Sequence, residues 1–168
     1  MAGEKDTIFS SKVKYSGLFQ FPEFYRFCYE WLVDEFALDV IEDQYIEKIK
    51  GTQKDIVIKW TGEKEVSDYF KYEVKIEFKI TGMENVEVVE GKLKRKMNKA
   101  SVESKISSSI IKDYQGNFEQ SAFKKFLRGI YEKWVIHSRI AQYEDKLVGK
   151  SDEFLSQVKA YLDLEGKR

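Results

Sequence analysis

A single cysteine, a single histidine and a single proline stand in 168 residues. One cysteine rules out an internal disulfide framework and any cysteine-cluster metal site. One histidine rules out a multi-histidine zinc site within one chain. Long apolar runs are also missing, since no stretch approaches the roughly 18 uninterrupted apolar residues of a membrane-spanning helix. The opening MAGEKDTIFSSK lacks the apolar segment of a secretory signal, so the expected compartment is the cytoplasm. Excess charge of one sign is lacking too: 29 Lys+Arg balance 29 Asp+Glu. That balance removes global charge as an argument for a nucleic-acid or acidic-membrane partner. There is no glycine-rich phosphate loop, no GxSxG and no HExxH, and no cofactor or metal is expected.

What is present describes a folded domain. Charged residues reach 35% and aromatic residues 15%, and disordered chains are poor in aromatics. The length fits one domain over residues 1–168, with a core burying roughly 70% of the unfolded surface. Lys outnumbers Arg 24 to 5 and Glu outnumbers Asp 19 to 10, a bias shared by hyperthermophile proteins and AT-rich genomes.

The hydrophobic period changes along the chain. Residues 1–11 are polar and expected to be flexible, and Lys12–Ser16 alternates as a short strand. Pro22 and Glu23 open a helix whose apolar positions, Phe24, Phe27, Cys28, Trp31, Leu32 and Phe36, recur at helical spacing. From residue 44 to 111 the period falls to two. Phe70, Tyr72, Val74, Ile76, Phe78 and Ile80 point one way, and Lys71, Glu73, Lys75, Glu77 and Lys79 the other. This is the pattern of an antiparallel sheet with one buried and one wet face. Gly82 is expected to end that strand, Val86 and Val88 to begin another, and Glu90-Gly91 to turn. Tyr45–Ile49 reads as a first or edge strand.

After Asp113-Tyr114-Gln115-Gly116 the period returns to 3.6 through Phe123, Phe126, Leu127, Ile130, Tyr131 and Trp134. Gly149 reads as an interruption. Ser151 with Asp152 and Glu153 reads as the start of a separate C-terminal helix over residues 151–166. The expected fold is therefore α+β: an antiparallel meander of about four to six strands. One N-terminal helix and long C-terminal helices pack on one of its faces.

This order of elements is similar to the helix-grip fold of START and polyketide-cyclase-like ligand binders. That resemblance implies a long C-terminal helix held against a curved sheet around an apolar cavity, though extra helix after Gly149 departs from it. The strings Tyr15-Ser16-Gly17-Leu18-Phe19, Asp68-Tyr69-Phe70-Lys71 and Asp113-Tyr114-Gln115-Gly116 resemble small archaeal proteins of unknown function, a likeness that brings no functional residue with it.

Few side chains invite chemistry. His137 is the only imidazole, which a Cys-His or Ser-His pair would need, and Cys28 lies on the aromatic helix where a thiol behaves as a small hydrophobe. No catalytic residue is assigned. Asp68 shares inward parity with Phe70 and Tyr72, and buried carboxylates cluster at active sites, although Asp before a strand is commonly held in a turn. Ser104 and Ser108 are small and polar on an apolar face. Either a helix packs closely there, or a pocket opens between sheet and helices. Lys92, Lys94, Arg95, Lys96 and Lys99 form a basic segment without an acid. It reads as an anion or partner contact, as a match for the acidic run Glu30–Glu47, or as solvated edge protection. The first reading is a non-catalytic module for a partner protein or an apolar small molecule. Nucleic-acid or anionic-surface binding through 92–99 and a carboxylate-dependent enzyme are the alternatives. A homo-oligomer is compatible with all three.

Overall fold

The computed structural model describes residues 3–118, 121–135 and 137–167. Five antiparallel strands form one sheet: β1 (Glu4–Phe19), β2 (Asp39–Lys50), β3 (Gln53–Glu65), β4 (Phe70–Glu90) and β5 (Leu93–Lys112), in the order β1-β5-β4-β3-β2. The helices are α1 (Phe21–Glu30), α2 (Ala122–Ile130) and α3 (His137–Lys167), with a π-turn at Trp31–Glu35 after α1 and another at Tyr131–Val135 after α2. The α+β meander with a long C-terminal helix is as the hydrophobic periods require.

The period of two sorts the sheet's faces. Ile56, Ile58 and Trp60 of β3, Phe70 through Ile80 at alternate positions of β4, and Ala100, Val102, Ile106 and Ile110 of β5 are all buried in one core. The intervening charges lie on the wet face, where Lys71 pairs with Glu63 at 3.0 Å and Lys79 with Glu77 at 3.3 Å. Exposed pairs of this kind contribute about 1 kcal/mol or less each.

Three boundaries differ from the sequence reading. Residues 4–11, expected to be flexible, belong to β1 and pair with the end of β5, from Glu4 opposite Lys112 to Ser11 opposite Ile106. An edge strand is held by its ladder, and the register shift between Thr7 and Phe9 breaks the alternation around Ile8 and Phe9, which pack against the core, so no period of two is legible. Gly82 does not end β4. At φ 64° it forms part of a register shift between Thr81 and Glu84, and the strand runs on to Glu90. This positive φ suits glycine, which has no Cβ to clash.

Asp55 secures the irregularity, its carboxylate accepting from the Gly82 N–H at 2.8 Å and pairing with Lys50 at 2.9 Å. The Gly82 bond, followed by Lys50, holds the Asp55 pKa below the ordinary carboxylate value. A depressed pKa means that this restraint is complete above the unfolded value of about 4 and is lost as pH falls through the lower folded value. Hydrogen-exchange protection of the Gly82 amide is expected to drop over that acid window, and Asp55→Ala should remove it at neutral pH. Unchanged protection in the variant would mean that the strand pairing alone holds the bulge.

The third difference is in α3, which passes unbroken through Gly149. Ser151 is no N-cap: its hydroxyl donates back to the Leu147 carbonyl at 2.7 Å, and it sits on the buried stripe Leu147, Phe154, Leu155, Val158 and Leu162. A separate helix over 151–166 is thereby corrected. Serine serves a mid-helix position when its hydroxyl finds a carbonyl one turn earlier.

Candidate functional site

The sheet's buried face is covered by α3 over β1 and β5 and by α1 over β3. Proline in the first turn and Glu23 start α1, and Phe24 and Cys28 bury its inner stripe. Two residues past the π-turn that follows, Ala37 adopts a φ of 59° and redirects the chain. Leu38 is thus laid over Gly62, where an added Cβ would stand 2.8 Å from the Leu38 Cδ1. Gly62 therefore permits the close approach that joins α1 to the start of β2.

Of the two inward serines, packing explains Ser108, while the Ser104 hydroxyl is buried with no hydrogen-bond partner among the described residues. Ser104 and Ser108 are 1% and 0% exposed, and the Ser108 and Ser151 hydroxyls meet at 2.6 Å. The small Ser108 and Ser151 let α3 descend onto β5 at this point. Asp68 does not join the buried face of the sheet, but it lines a small recess of about 180 Å³ with Tyr131, Arg139 and Tyr143. It is exposed in the bend before β4, where the Ser67 hydroxyl accepts from the Tyr69 and Phe70 N–H groups at 3.1 and 2.9 Å. The bend removes Asp68 from the strand and cancels its parity with Phe70.

The basic segment forms the outer arm of the β4–β5 hairpin. Three of its five cations have an acid of the same hairpin beside them: Lys99 lies opposite Glu84, Lys96 opposite Glu87, and Arg95, opposite Val88, bonds Glu90 at 3.1 Å, while Lys94 lies opposite Val89. Among the described residues no ion pair joins Lys92, Lys94, Arg95, Lys96 or Lys99 to the acidic run. Glu42 of that run instead accepts from the Trp60 indole at 3.0 Å and from the Tyr25 hydroxyl. Burial and then Glu42 push the Tyr25 pKa up to about 12. The sequence shows like charges in a row, but not which opposite charges the hairpin folds beside them.

Nucleophilic chemistry finds little support. Cys28 is completely buried, and burial pushes its thiol well above the ordinary value, while His137 is exposed at the start of α3. Among the described residues no three His, Cys, Asp or Glu side chains gather as metal ligands.

A cleft of about 760 Å³ opens elsewhere, between α3, the turn after α1 and the β3–β4 connection. Phe36, Val66, Tyr72 and Tyr143 supply its apolar lining, and Lys64, Lys146 and Lys150 its cationic rim. Glu35, Glu65 and Glu153 line the same cleft. Tyr72 is fixed by donating to the Tyr143 carbonyl at 2.7 Å, and burial pushes its pKa up to about 12. Its phenol is therefore a neutral donor, already committed, at physiological pH. Lys150 lies 3.5 Å from Glu153 and 5.9 Å from the centre of the Trp31 ring.

Gly149 lies on this lip, and a Cβ there would meet nothing within 4 Å. A glycine inside a helix costs about 1 kcal/mol relative to alanine, and no close packing explains it. From sequence, Gly149 reads as a break in the helix, and its place on the cleft is legible only in the fold. Its only signal was a glycine within an otherwise continuous helical pattern.

Fold and cleft together define an α+β chain with an open, mainly apolar recess between sheet and helix. No protein-family model matches the chain, and neither a curated protein nor a solved structure matches it.

Proposed function

We propose that this chain is a non-catalytic binding module that holds a small, largely apolar molecule in the cleft between α3 and the β3–β4 end of the sheet. Gly149 carries the reading: a helix-weakening residue stands where nothing presses on it, and its missing side chain keeps the recess clear. The size and lining agree, because small-molecule sites are concave, mostly apolar and provided with a few polar groups. The charged rim favours a ligand whose polar end stays at the mouth. The order of elements, similar to that of the helix-grip ligand binders, is in keeping with a site at this place.

Titration with the apolar fluorophore N-phenyl-1-naphthylamine tests the proposal. Saturable binding at one site is expected, weakened at least about tenfold by Gly149→Trp, since the indole fills the recess. The variant should melt no lower than the parent, because replacing glycine removes a helix penalty. Equal binding by both proteins would sink the reading.

A further inference from the structure

We propose that α2 and the π-turn after it form a docking face for an anionic lipid surface, independently of what the cleft holds. Phe123, Phe126, Leu127, Ile130 and Trp134 recur at helical spacing and form a single stripe. Elsewhere in this molecule such a stripe lies against the sheet. Here it faces solvent: Phe123 is 68% exposed, Phe126 63% and Trp134 74%, and no residue of Ala122–Ile130 is buried.

The opposite side of the helix is the one that touches the protein. Arg128 Nε bonds the Tyr69 hydroxyl and Glu132, each at 3.1 Å, and its Nη2 reaches Glu4 at 2.9 Å. Tyr131 stacks on Phe118 and meets the edge of Tyr69. The helix is therefore fastened by its polar side and presents its apolar side outward. A contiguous apolar patch of this kind marks an interaction surface.

The charges around the stripe select the occupant. Lys124, Lys125 and Lys133 are exposed beside it, while Glu132, the acid within 121–135, is turned inward against Arg128. Lys133 lies 5.3 Å from the Trp134 ring centre. Aromatic and aliphatic side chains flanked by lysines suit an interface where rings enter the acyl boundary and ammonium groups meet anionic headgroups. A second copy fits poorly, because pairing stripe against stripe brings the two sets of lysines together.

The full chain is tested by flotation with vesicles of equal parts phosphatidylcholine and phosphatidylserine, alongside vesicles of phosphatidylcholine alone. Binding is expected to the anionic vesicles, to weaken as salt is raised, and to fall at least about tenfold in Phe126→Glu. Phe126 is exposed, so that variant keeps its fold, which circular dichroism verifies. Trp31 and Trp60 are buried, so a blue shift of tryptophan emission on binding reports Trp134. Lys94→Ala/Lys96→Ala should bind as the parent does. Failure to float with anionic vesicles at low salt would overturn the proposal, as would a concentration-dependent dimer dispersed by Phe126→Glu. Binding lost in the hairpin variant but kept in Phe126→Glu would also overturn it.

Discussion

Trp60→Ala is expected to destabilise the protein by about 3–5 kcal/mol, the usual cost of removing a large buried aromatic side chain. For a chain of this size that lowers the melting temperature by about 6–20 °C. Trp60 is 1% exposed and lies edge-on to Tyr25, Tyr29 and Phe78, with ring centres 5.1, 5.9 and 5.2 Å away. Its loss therefore loosens α1 from β3 as well as opening a cavity. The indole N–H to Glu42 contributes less, because Glu42 is exposed and water replaces the donor. Trp60→Phe should accordingly cost only about 1–2 kcal/mol. Chemical denaturation of both variants decides the matter. Equal losses would place the energy in the hydrogen bond and not in the ring packing.

Ser151→Leu has the second largest expected effect, about 2–5 kcal/mol, from overpacking and from the buried Ser108 hydroxyl left without its partner. Two hydroxyl oxygens 2.6 Å apart leave no room for an isobutyl group between helix and sheet. Ser151→Ala alone should cost about 1–3 kcal/mol. Adding Ser108→Ala should recover part of that loss, since removing both partners leaves no orphan at this contact. A double variant whose loss equals the sum of the single losses would show that the pair is not coupled. The hydroxyl contact would then not be what sets the height of α3 over β5.

The sheet was legible in the sequence because long stretches of its central strands alternate, and Phe70 to Ile80 alone indicate a one-sided antiparallel sheet. The helices were legible where an aromatic or aliphatic stripe recurred, as from Phe24 to Phe36. Positions at which backbone bonding overrides side-chain pattern were not. Residues 4–11 are mostly polar yet paired, Gly82 lies within a strand, and α3 passes through Gly149. The candidate cleft draws on β3, β4, the turn after α1 and α3. No local string marks it, because its parts meet only once the sheet has formed. The stripe from Phe123 to Trp134 was visible as a stripe, but period alone does not tell which side of a helix meets the core.

Placing β1 beside β5 has a kinetic consequence. Strands β2 to β5 are joined by short connections and can zip up as successive hairpins. β1 must instead wait until the far end of the meander exists, since Phe19 pairs with Asn98 and Glu4 with Lys112. Closing so long a loop lowers the folding rate more than it lowers stability. Until it closes, the β5 edge and the floor beneath α3 stay uncovered, so partly folded chains are most prone to association at that edge.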